Sequence, residues 1–347
     1  MAGKPLRKTA GAASAAARSS GSLTLNDVAK LAGDSPITVS RVLNHPDLVR
    51  SPTLERVRAV IARTGYVPNL LAGGLASSKS RLVAAIVPSI TNAIFVEAVQ
   101  ALTDRLWQAG YQVLLGLSGY PATREDALLS AVLSRRPDAI YLTGINHSAH
   151  TRQRLLAARI PIVETWDLTP TPIDTVVGFS HEEVGRAVAR HLLAKGHRRF
   201  GLVTADDERA AVRRRGYVAE LERNGFEVAV ASIPAPSTLA LGRYGLATLL
   251  ERDGHPQAVF CGSDLLAHGA LEEARARRLA VPRDLAIMGF GGLDFSQHTS
   301  PPLSTVSIER AAIGREAAEV ILARIEGRRE PGTVVDVGFR LLDRATT

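Results

Sequence analysis

The chain has 347 residues, of which 46% are hydrophobic and 22% are charged. This length predicts more than one folded domain. No apolar run reaches the roughly 18 residues that a membrane-spanning helix needs, which excludes a membrane-embedded protein. The net charge of +8 is concentrated at the start, because residues 1–80 contain 11 lysines and arginines against 4 aspartates and glutamates. Such a basic segment is typical of proteins that bind the phosphate backbone of nucleic acids.

Residues 1–22 form a basic leader that lacks the apolar core of a secretory signal. We expect a disordered basic tail, although an organellar transit peptide has a similar arginine- and serine-rich, acid-free composition. The single cysteine, Cys261, excludes an internal disulfide and fits a reducing, cytoplasmic compartment. Because this cysteine lies in an apolar run, we expect it to be an inert core residue.

The first predicted elements are two short helices joined by a tight turn. Thr24 and Asp27 form a capping box at the start of the first helix, and Gly33 ends it. Ser35, followed by a proline, is the predicted N-cap of the second helix. Two helices joined in this way are typical of a helix-turn-helix, whose second helix enters the major groove of DNA. A group of short amphipathic helices without a DNA-binding role would give the same local signals.

A third helix is predicted to start at Ser51 and to end at Gly65, packing across the first two. The three helices form an all-α headpiece over residues 23–68. Its core is predicted from the apolar residues at helical spacing, which are Val28, Leu31, Ala32, Val39, Val42, Leu43, Leu54, Val57 and Ile61.

From residue 80 onward, short aliphatic runs alternate with amphipathic helical stretches. The runs predicted as buried parallel strands are Leu82–Val87, Tyr111–Gly116, Asp138–Leu142, Ile160–Val163, Arg199–Val203, Phe226–Ala229, Ala258–Cys261 and Leu285–Phe290. Two such series predict two α/β lobes that face each other across a cleft.

Ligands of open α/β sheets bind beyond the carboxyl ends of the strands. The loops there are Ser89–Asn92, Ser118–Tyr120, Gly144–Asn146, Trp166–Asp167, Ala205–Asp207, Ser263–Asp264 and Gly291–Gly292. The chain has no glycine-rich phosphate loop, no dinucleotide-binding fingerprint and no Cys/His set at metal-ligand spacing. The sequence therefore predicts no cofactor, no metal site and no catalytic residues. His147 and His150 are predicted to lie in a solvated loop.

Three headpiece runs resemble the lactose-repressor (LacI) family of bacterial regulators: Leu25–Gly33, Thr38–Asn44 and Gly65–Asn69. The resemblance continues through later runs such as Ile86–Ser89, Lys195–His197 and Pro301–Val306, and within the family it is closest to the gluconate-operon repressors. It implies a homodimeric repressor with a helix-turn-helix headpiece and a two-lobed periplasmic-binding-protein-like domain. The implied partners are operator DNA and a small effector.

The resemblance also implies domain boundaries. A hinge helix or linker is expected at residues 69–79, and the effector-binding and dimerisation domain at residues 80–347. The N-lobe is expected to comprise about residues 80–177 and 307–331, and the C-lobe about residues 178–306 and 332–347.

Family positions on the second helix imply which residues meet DNA. Pro36, Ile37 and Arg41 match positions that meet base edges, and Arg41 is suited to guanine. The residues that match phosphate-contacting positions are Thr24, Ser35, Thr38, Ser40 and Asn44. At the hinge, the family implies DNA contacts by Asn69 and by Leu75, which enters the minor groove. Two glycines interrupt this segment, so a hinge that is disordered without DNA is expected, and a plain flexible linker is the alternative.

For the effector, Arg213 matches the family's ligand-binding arginine, and a guanidinium suits a carboxylate. The other expected effector-binding residues are Ser89, Asn92, Tyr120, Asp167, Ser263 and Asp264. For Asp264 the alternative is a role as cap of the following helix. A Gly-Gly pair at 291–292 replaces the aspartate that sugar-binding relatives carry there, which favours an anion such as gluconate.

The expected function is repression of carbohydrate catabolism, relieved by this ligand. Two alternatives stay open: a co-repressed regulator of the same family, and a sugar-acid enzyme or transport receptor.

Overall fold

The computed structural model describes residues 23–67, 79–91, 93–119, 122–252, 254–328 and 331–347. The chain divides into two compact units, Met1–Ser78 and Lys79–Thr347. Four residues predicted to bind DNA or effector lie outside the described residues: Asn69, Leu75, Asn92 and Tyr120. The predicted tail and nearly all of the predicted hinge lie outside them as well.

The described part of the first unit is the headpiece. Its elements are α1 (Leu25–Ala32), α2 (Pro36–Asn44), a 3-10 turn (Pro46–Leu48) and α3 (Ser51–Thr64). Thr24 and Ser35 cap the first two helices with their hydroxyls, as predicted. Gly33 and Gly65 end α1 and α3 with φ angles of 64°, a conformation that glycine adopts without strain.

The headpiece core differs from the predicted one in three ways: Leu31 is exposed, the predicted residues Leu43, Leu54 and Ile61 are only partly buried, and Ala29, Val60 and Tyr66 are buried in addition. Its buried residues are Val28, Ala29, Ala32, Val39, Val42, Val57, Val60 and Tyr66. Helical spacing predicts that Leu31 is buried, but 51% of it is exposed. Residues three and four apart share a helix face, so the pair Val28 and Ala32 defines the buried stripe, with Ala29 on one side and Leu31 on the other. The core lies on the side of Ala29.

The second unit, which we call the effector unit, contains two parallel sheets. Its strands are β1 (Leu82–Val87), β2 (Gln112–Leu117), β3 (Ala139–Thr143), β4 (Ile162–Thr165), β5 (Thr175–Gly178), β6 (Phe200–Ala205), β7 (Val228–Ile233), β8 (Ala258–Cys261), β9 (Ala286–Gly291), β10 (Ser304–Ser307), β11 (Thr333–Asp336) and β12 (Arg340–Leu342). Its helices are α4 (Ala93–Gln108), α5 (Ala122–Leu133), α6 (Ala149–Ala158), α7 (His181–Ala194), α8 (Glu208–Arg223), α9 (Leu239–Leu250), α10 (Asp264–Ala276) and α11 (Arg310–Ile325), besides a short 3-10 turn at Asp294–Gln297.

The two sheets define two lobes. The first lobe has the strand order β11-β5-β4-β3-β1-β2, with every pair parallel. The second lobe has the order β12-β10-β9-β8-β6-β7, in which only β12 runs antiparallel to its neighbour. The carboxyl ends of the parallel strands in both lobes border a common cleft, as the sequence predicted.

The chain passes between the lobes after β5, after β10 and after β11 within the described residues. The aliphatic pattern does not predict β5 or β10. It also misses α11, which packs against α4 in the first lobe. The expected boundaries place the segment from Thr333 to Leu342 wholly in the C-lobe. Instead it divides: β11 extends the first sheet and β12 extends the second.

Two further features bear on the sequence expectations. Within the described ranges, no helix is long and apolar enough to cross a membrane. Cys261 is free and fully buried in the second lobe, and burial raises the pKa of its thiol. A buried thiol with a raised pKa is a poor nucleophile, which agrees with its expected role in the core.

Candidate DNA-binding surface and effector cleft

Helix α2 carries the three residues predicted to meet base edges. Pro36 and Arg41 are exposed, and 67% of Ile37 is exposed, while Val39 and Val42 bury the opposite face in the headpiece core. Within the described part of the chain, the Arg41 guanidinium has no hydrogen-bond or ion-pair partner. Its donors are therefore available to a base edge.

The predicted phosphate-contacting residues already have partners in the chain. The Thr24 hydroxyl donates to Asp27 Oδ2 at 2.6 Å, and the Thr24 amide donates to the same oxygen at 2.9 Å. These bonds hold the pKa of Asp27 below its usual value. Because a hydroxyl has one proton, Thr24 must release Asp27 before it can donate to a phosphate.

On α2, the predicted phosphate contacts are likewise engaged near the ends of the helix. Ser35 Oγ accepts from the Thr38 amide at 3.1 Å and lies 2.9 Å from the Thr38 hydroxyl. Asn44 Nδ2 donates to the Ser40 carbonyl at 3.0 Å and to its hydroxyl at 3.3 Å. These side chains therefore stabilise the helix in the absence of DNA.

The cleft of the effector unit has an aromatic, cationic part. Phe95 and Trp166 from the first lobe meet edge to face with ring centroids 5.0 Å apart. From the second lobe, the Arg213 guanidinium lies 4.1 Å from the centre of the Phe290 ring. Both arrangements are favourable, the first by ring electrostatics and the second as a cation–π contact.

Arg213 is a buried cation with incomplete hydrogen bonding. Only 7% of the residue is exposed. Its Nη1 donates to His181 Nδ1 at 2.9 Å and its Nη2 to the Gly262 carbonyl at 3.2 Å, whereas the buried Nε has no partner. Burial lowers the pKa of Arg213 to about 10, so the side chain is still charged at neutral pH. No carboxylate among the described residues forms an ion pair with it.

His181 is the side-chain hydrogen-bond partner of Arg213. It is 2% exposed, and its Nε2 lies 2.8 Å from the Trp166 carbonyl oxygen. Burial, followed by the charges of Arg213 and Arg209, lowers the pKa of His181 well below its usual value. The sequence does not identify His181, because nothing in its local pattern marks it as a cleft residue.

A second cation, Arg209, lies one helical turn before Arg213 on α8. Its guanidinium lies 5.3 Å from the centre of the Phe95 ring, so it reaches from the second lobe to the first. Arg209 lines both the aromatic part of the cleft and the neighbouring part that contains Asp167. It is missing from the predicted effector-binding residues, although its four-residue spacing from Arg213 indicates a shared helix face.

The remainder of the cleft is rich in hydrogen-bond acceptors. The acidic side chains that line it are Glu125, Asp167, Asp206, Asp207 and Glu208. Asp167 is 8% exposed, one of its oxygens accepts from the Leu168 amide at 2.8 Å, and burial raises its pKa. The predicted residues Asp167 and Arg213 are therefore placed in adjoining parts of one cleft.

Two predicted serines differ in their placement. Ser263 lines the cleft, but its hydroxyl also caps α10 by accepting from the Leu266 amide. Ser89 is not among the lining residues and accepts from the Thr91 amide at 3.1 Å.

Asp264 does not reach the cleft surface. It is fully buried beneath the floor of the cleft, where it accepts from the Leu293 amide at 2.7 Å and from the Thr305 hydroxyl at 2.5 Å. It is not the helix cap either, because Ser263 has that role. Burial raises the pKa of Asp264 to about 6. Through its bond to the Leu293 amide, Asp264 fixes the loop that follows β9 beside the cleft.

The prediction of a solvated loop was wrong for His147. Its side chain is 2% exposed and lies between two carboxylates, with Nδ1 2.7 Å from Glu125 Oε1 and Nε2 3.5 Å from Glu164 Oε1. Burial alone would lower the pKa of His147, but the hydrogen bond to Glu125 and the negative charges of both glutamates outweigh it and raise the pKa to about 9. His150 is exposed, as expected. No metal-binding group of three or more His, Cys, Asp or Glu side chains occurs among the described residues.

Comparison with known proteins agrees with this architecture. Residues 24–69 match the family described as bacterial regulatory proteins, lacI family, and residues 189–347 match the periplasmic binding protein-like domain. The chain is 38% identical over 333 residues to the HTH-type transcriptional regulator GntR of Pseudomonas aeruginosa, covering 95% of this chain and 97% of that protein.

Two solved structures are similar over most of the chain. A LacI-family transcriptional regulator from Silicibacter pomeroyi is 34% identical, with a TM-score of 0.88 and coverage of 93% of this chain and 99% of that one. A lac repressor dimer bound to operator and an anti-inducer is 26% identical, with a TM-score of 0.80 and coverage of 94% and 99%. The predicted family and fold class are confirmed: the chain belongs to the LacI family of DNA-binding transcriptional regulators.

Proposed function

We propose that this regulator is a homodimeric repressor of sugar-acid catabolism, and that a gluconate-type sugar acid binds between its lobes and releases it from its operator. The observation that carries the proposal is Arg213, a buried guanidinium without a carboxylate partner among the described residues and with an unpartnered Nε. A buried charge is costly unless it is paired and hydrogen-bonded. An anionic ligand supplies the missing partner.

The free groups of Arg213 match a carboxylate. Its Nε–H and the remaining N–H of a terminal nitrogen form the fork that binds two carboxylate oxygens. Arg209, one turn away on the same helix, adds a second positive charge facing the cleft. The two neighbouring cations favour a negatively charged ligand group at this end of the cleft, where Asp207 is the acidic side chain among the lining residues.

The acceptor-rich part of the cleft matches the rest of a sugar acid. Hydroxyl groups donate hydrogen bonds, and Asp167 with the neighbouring acidic side chains accepts them. The cleft thus has complementary groups for both a carboxylate and a polyhydroxyl chain, which supports an aldonate as the ligand class.

For the DNA-binding unit, we propose that Arg41 reads a guanine and that Pro36 and Ile37 contact thymine methyl groups. Their exposure on α2 and the freedom of the Arg41 guanidinium support these roles. The capping residues of α1 and α2 would contact phosphates after exchanging their present partners. Two copies are needed because the half-sites of an operator with two-fold symmetry are separated by about one helical turn.

The test is operator binding by the purified full-length protein, using fluorescence anisotropy with duplex DNA from its own promoter region. Gluconate is expected to release the DNA, whereas glucose at the same concentration is not. Arg213→Ala should abolish release while leaving operator affinity unchanged, and Arg213→Lys should weaken release because lysine lacks the fork. Arg214→Ala is the matched control, since Arg214 is exposed on the same helix.

Each outcome has a defined meaning. Normal release by Arg213→Ala would overturn the effector assignment. Tighter binding with gluconate would show that the ligand is a co-repressor. Binding that weakens only slightly as salt is raised would contradict the phosphate-contacting role of the headpiece.

A further inference from the structure

His181 lies where the chain first passes from one lobe to the other. It is the third residue after β5 of the first lobe and the first residue of α7 in the second lobe. Its buried ring contacts both lobes, with Nε2 2.8 Å from the carbonyl oxygen of Trp166 in the first and Nδ1 2.9 Å from Nη1 of Arg213 in the second. The ring is therefore a direct polar connection between the lobes.

The two partners fix the tautomer and charge of this ring. A guanidinium can only donate hydrogen bonds, so His181 Nδ1 must accept from Arg213 and carries no proton. A carbonyl oxygen can only accept, so Nε2 must carry the proton that it donates to Trp166. The ring is neutral, and its two bonds run in one direction from Arg213 to Trp166.

Trp166, in the first lobe, combines a strained backbone conformation with a place in the cleft wall. It has a φ angle of 72°, in the left-handed region that a bulky residue adopts only when its surroundings require it. Its amide donates to the Val177 carbonyl at 3.2 Å, and its indole forms part of the cleft wall. The next residue, Asp167, also lines the cleft. The bond from His181 therefore helps to hold a strained segment that contributes two cleft residues.

We infer that His181 is a positioning residue that couples the effector-binding Arg213 to the first lobe through the Trp166 carbonyl. This inference rests on the proposed function, because it assigns Arg213 to the ligand. A ligand can shift the lobes only if its affinity differs between their arrangements. His181 provides that difference, since the orientation of Arg213 depends on the position of Trp166 across the cleft.

Two substitutions separate the two bonds. In His181→Asn, the amide oxygen takes the place of Nδ1 and accepts from Arg213, but the side chain is too short to reach Trp166. In His181→Gln, the amide nitrogen takes the place of Nε2 and donates to Trp166, but the bond from Arg213 is lost. The pair therefore tests ligand binding and coupling separately.

The experiment measures two quantities on each full-length variant. Gluconate affinity is measured by calorimetry, and operator affinity is measured with and without saturating gluconate. For His181→Gln, we expect gluconate affinity to fall about tenfold, because a hydrogen bond to a charged group is lost. For His181→Asn, we expect near-normal gluconate affinity but an effect of gluconate on operator binding that is smaller by about tenfold.

A full operator response in His181→Asn would overturn the inference. So would a parallel loss of binding and response in both variants, which indicates a merely structural role. If the wild-type protein does not respond to gluconate, the proposed ligand fails independently. The ring is then tested without any ligand by nitrogen-15 NMR of the histidine-labelled protein: a neutral ring protonated at Nε2 is expected, and a charged ring or one protonated at Nδ1 would contradict the coupling geometry. If neither variant folds, this measurement still tests the hydrogen-bond geometry on which the inference rests.

Discussion

The effector unit contains two buried histidines in opposite charge states. Little of either imidazole side chain is exposed to solvent, but the pKa of His147 is raised to about 9 whereas that of His181 is lowered well below its usual value. The difference lies in their partners. His147 lies between Glu125 and Glu164, which favour an imidazolium, and His181 lies against Arg213, which disfavours one. Burial does not by itself decide the charge of a histidine.

The two rings also connect different parts of the fold. His147 joins α5 to β4 and follows the loop Gly144–Asn146, which lines the cleft. All of these elements belong to the first lobe, so the charged histidine stabilises one wall. The neutral His181 connects one lobe to the other. The comparison predicts that His147 contributes mainly to stability and that His181 contributes mainly to the ligand response.

Removing the charged ring should give the largest effect. His147→Ala leaves Glu164, which is fully buried, without its counter-ion. We expect a loss of about 3–5 kcal/mol in the free energy of unfolding, as for other buried ion pairs that lose one partner. Urea denaturation measures this. His150→Ala is the control, because His150 is exposed three residues later and should change stability by less than about 0.5 kcal/mol. Equal effects of the two substitutions would show that the buried ion pair is not stabilising.

The second largest effect should appear in the free energy of unfolding at alkaline pH. The folded-state pKa of His147, about 9, lies above the unfolded value near 6.5. Its contribution is therefore fully present below pH 6.5 or so and is lost as the pH rises through about 9. The pKa shift of His147 corresponds to roughly 3 kcal/mol in the free energy of unfolding.

The measurement is the difference in unfolding free energy between the wild type and His147→Gln from neutral pH to about pH 10, so that lysine and tyrosine titration cancels. A difference that stays constant over this range would contradict the assigned charge of His147.

Sequence patterns predicted the features that depend on local order. The capping box at Thr24, the left-handed ends at Gly33 and Gly65, and the strand Leu82–Val87 all follow from neighbouring residues, and each is present. Arg213 follows from the family resemblance, and it lies in the cleft. The predictions of the caps and of this strand are confirmed because capping and strand propensity depend on residues close in the sequence. Effector binding by Arg213 stays a prediction.

The features that were missed depend on distant partners. The charge of His147 is set by glutamates 22 residues before it and 17 residues after it, and that of His181 by an arginine 32 residues away. Arg209 looks like its exposed neighbour Arg214 in the sequence, and only the contact with Phe95 in the other lobe distinguishes it. Local pattern carries no information about such contacts, so burial and charge at these positions had to come from the tertiary structure.

The smallest effect should appear in the unfolding free energy at acid pH. It tests whether the His181 ring is neutral in the folded protein. The pKa of His181 is lowered in the folded protein. As the pH falls through about 6.5, His181 therefore becomes protonated in the unfolded chain but not in the folded protein. The stability contributed by the neutral ring is present above that pH and is lost as the pH falls, by at most about 1.4 kcal/mol per pH unit.

Asp264 acts in the opposite direction, since its raised pKa of about 6 lets the folded protein bind a proton. Its contribution cancels when the wild type is compared with His181→Asn by urea unfolding at neutral pH and one unit below pH 6.5. We expect the wild type to lose about 1 kcal/mol relative to the variant. Parallel profiles would mean that the ring has the same pKa in the folded protein as in the unfolded chain, and a gain of stability by the wild type would mean that the folded ring is protonated. Either result would contradict the contrast between the two histidines.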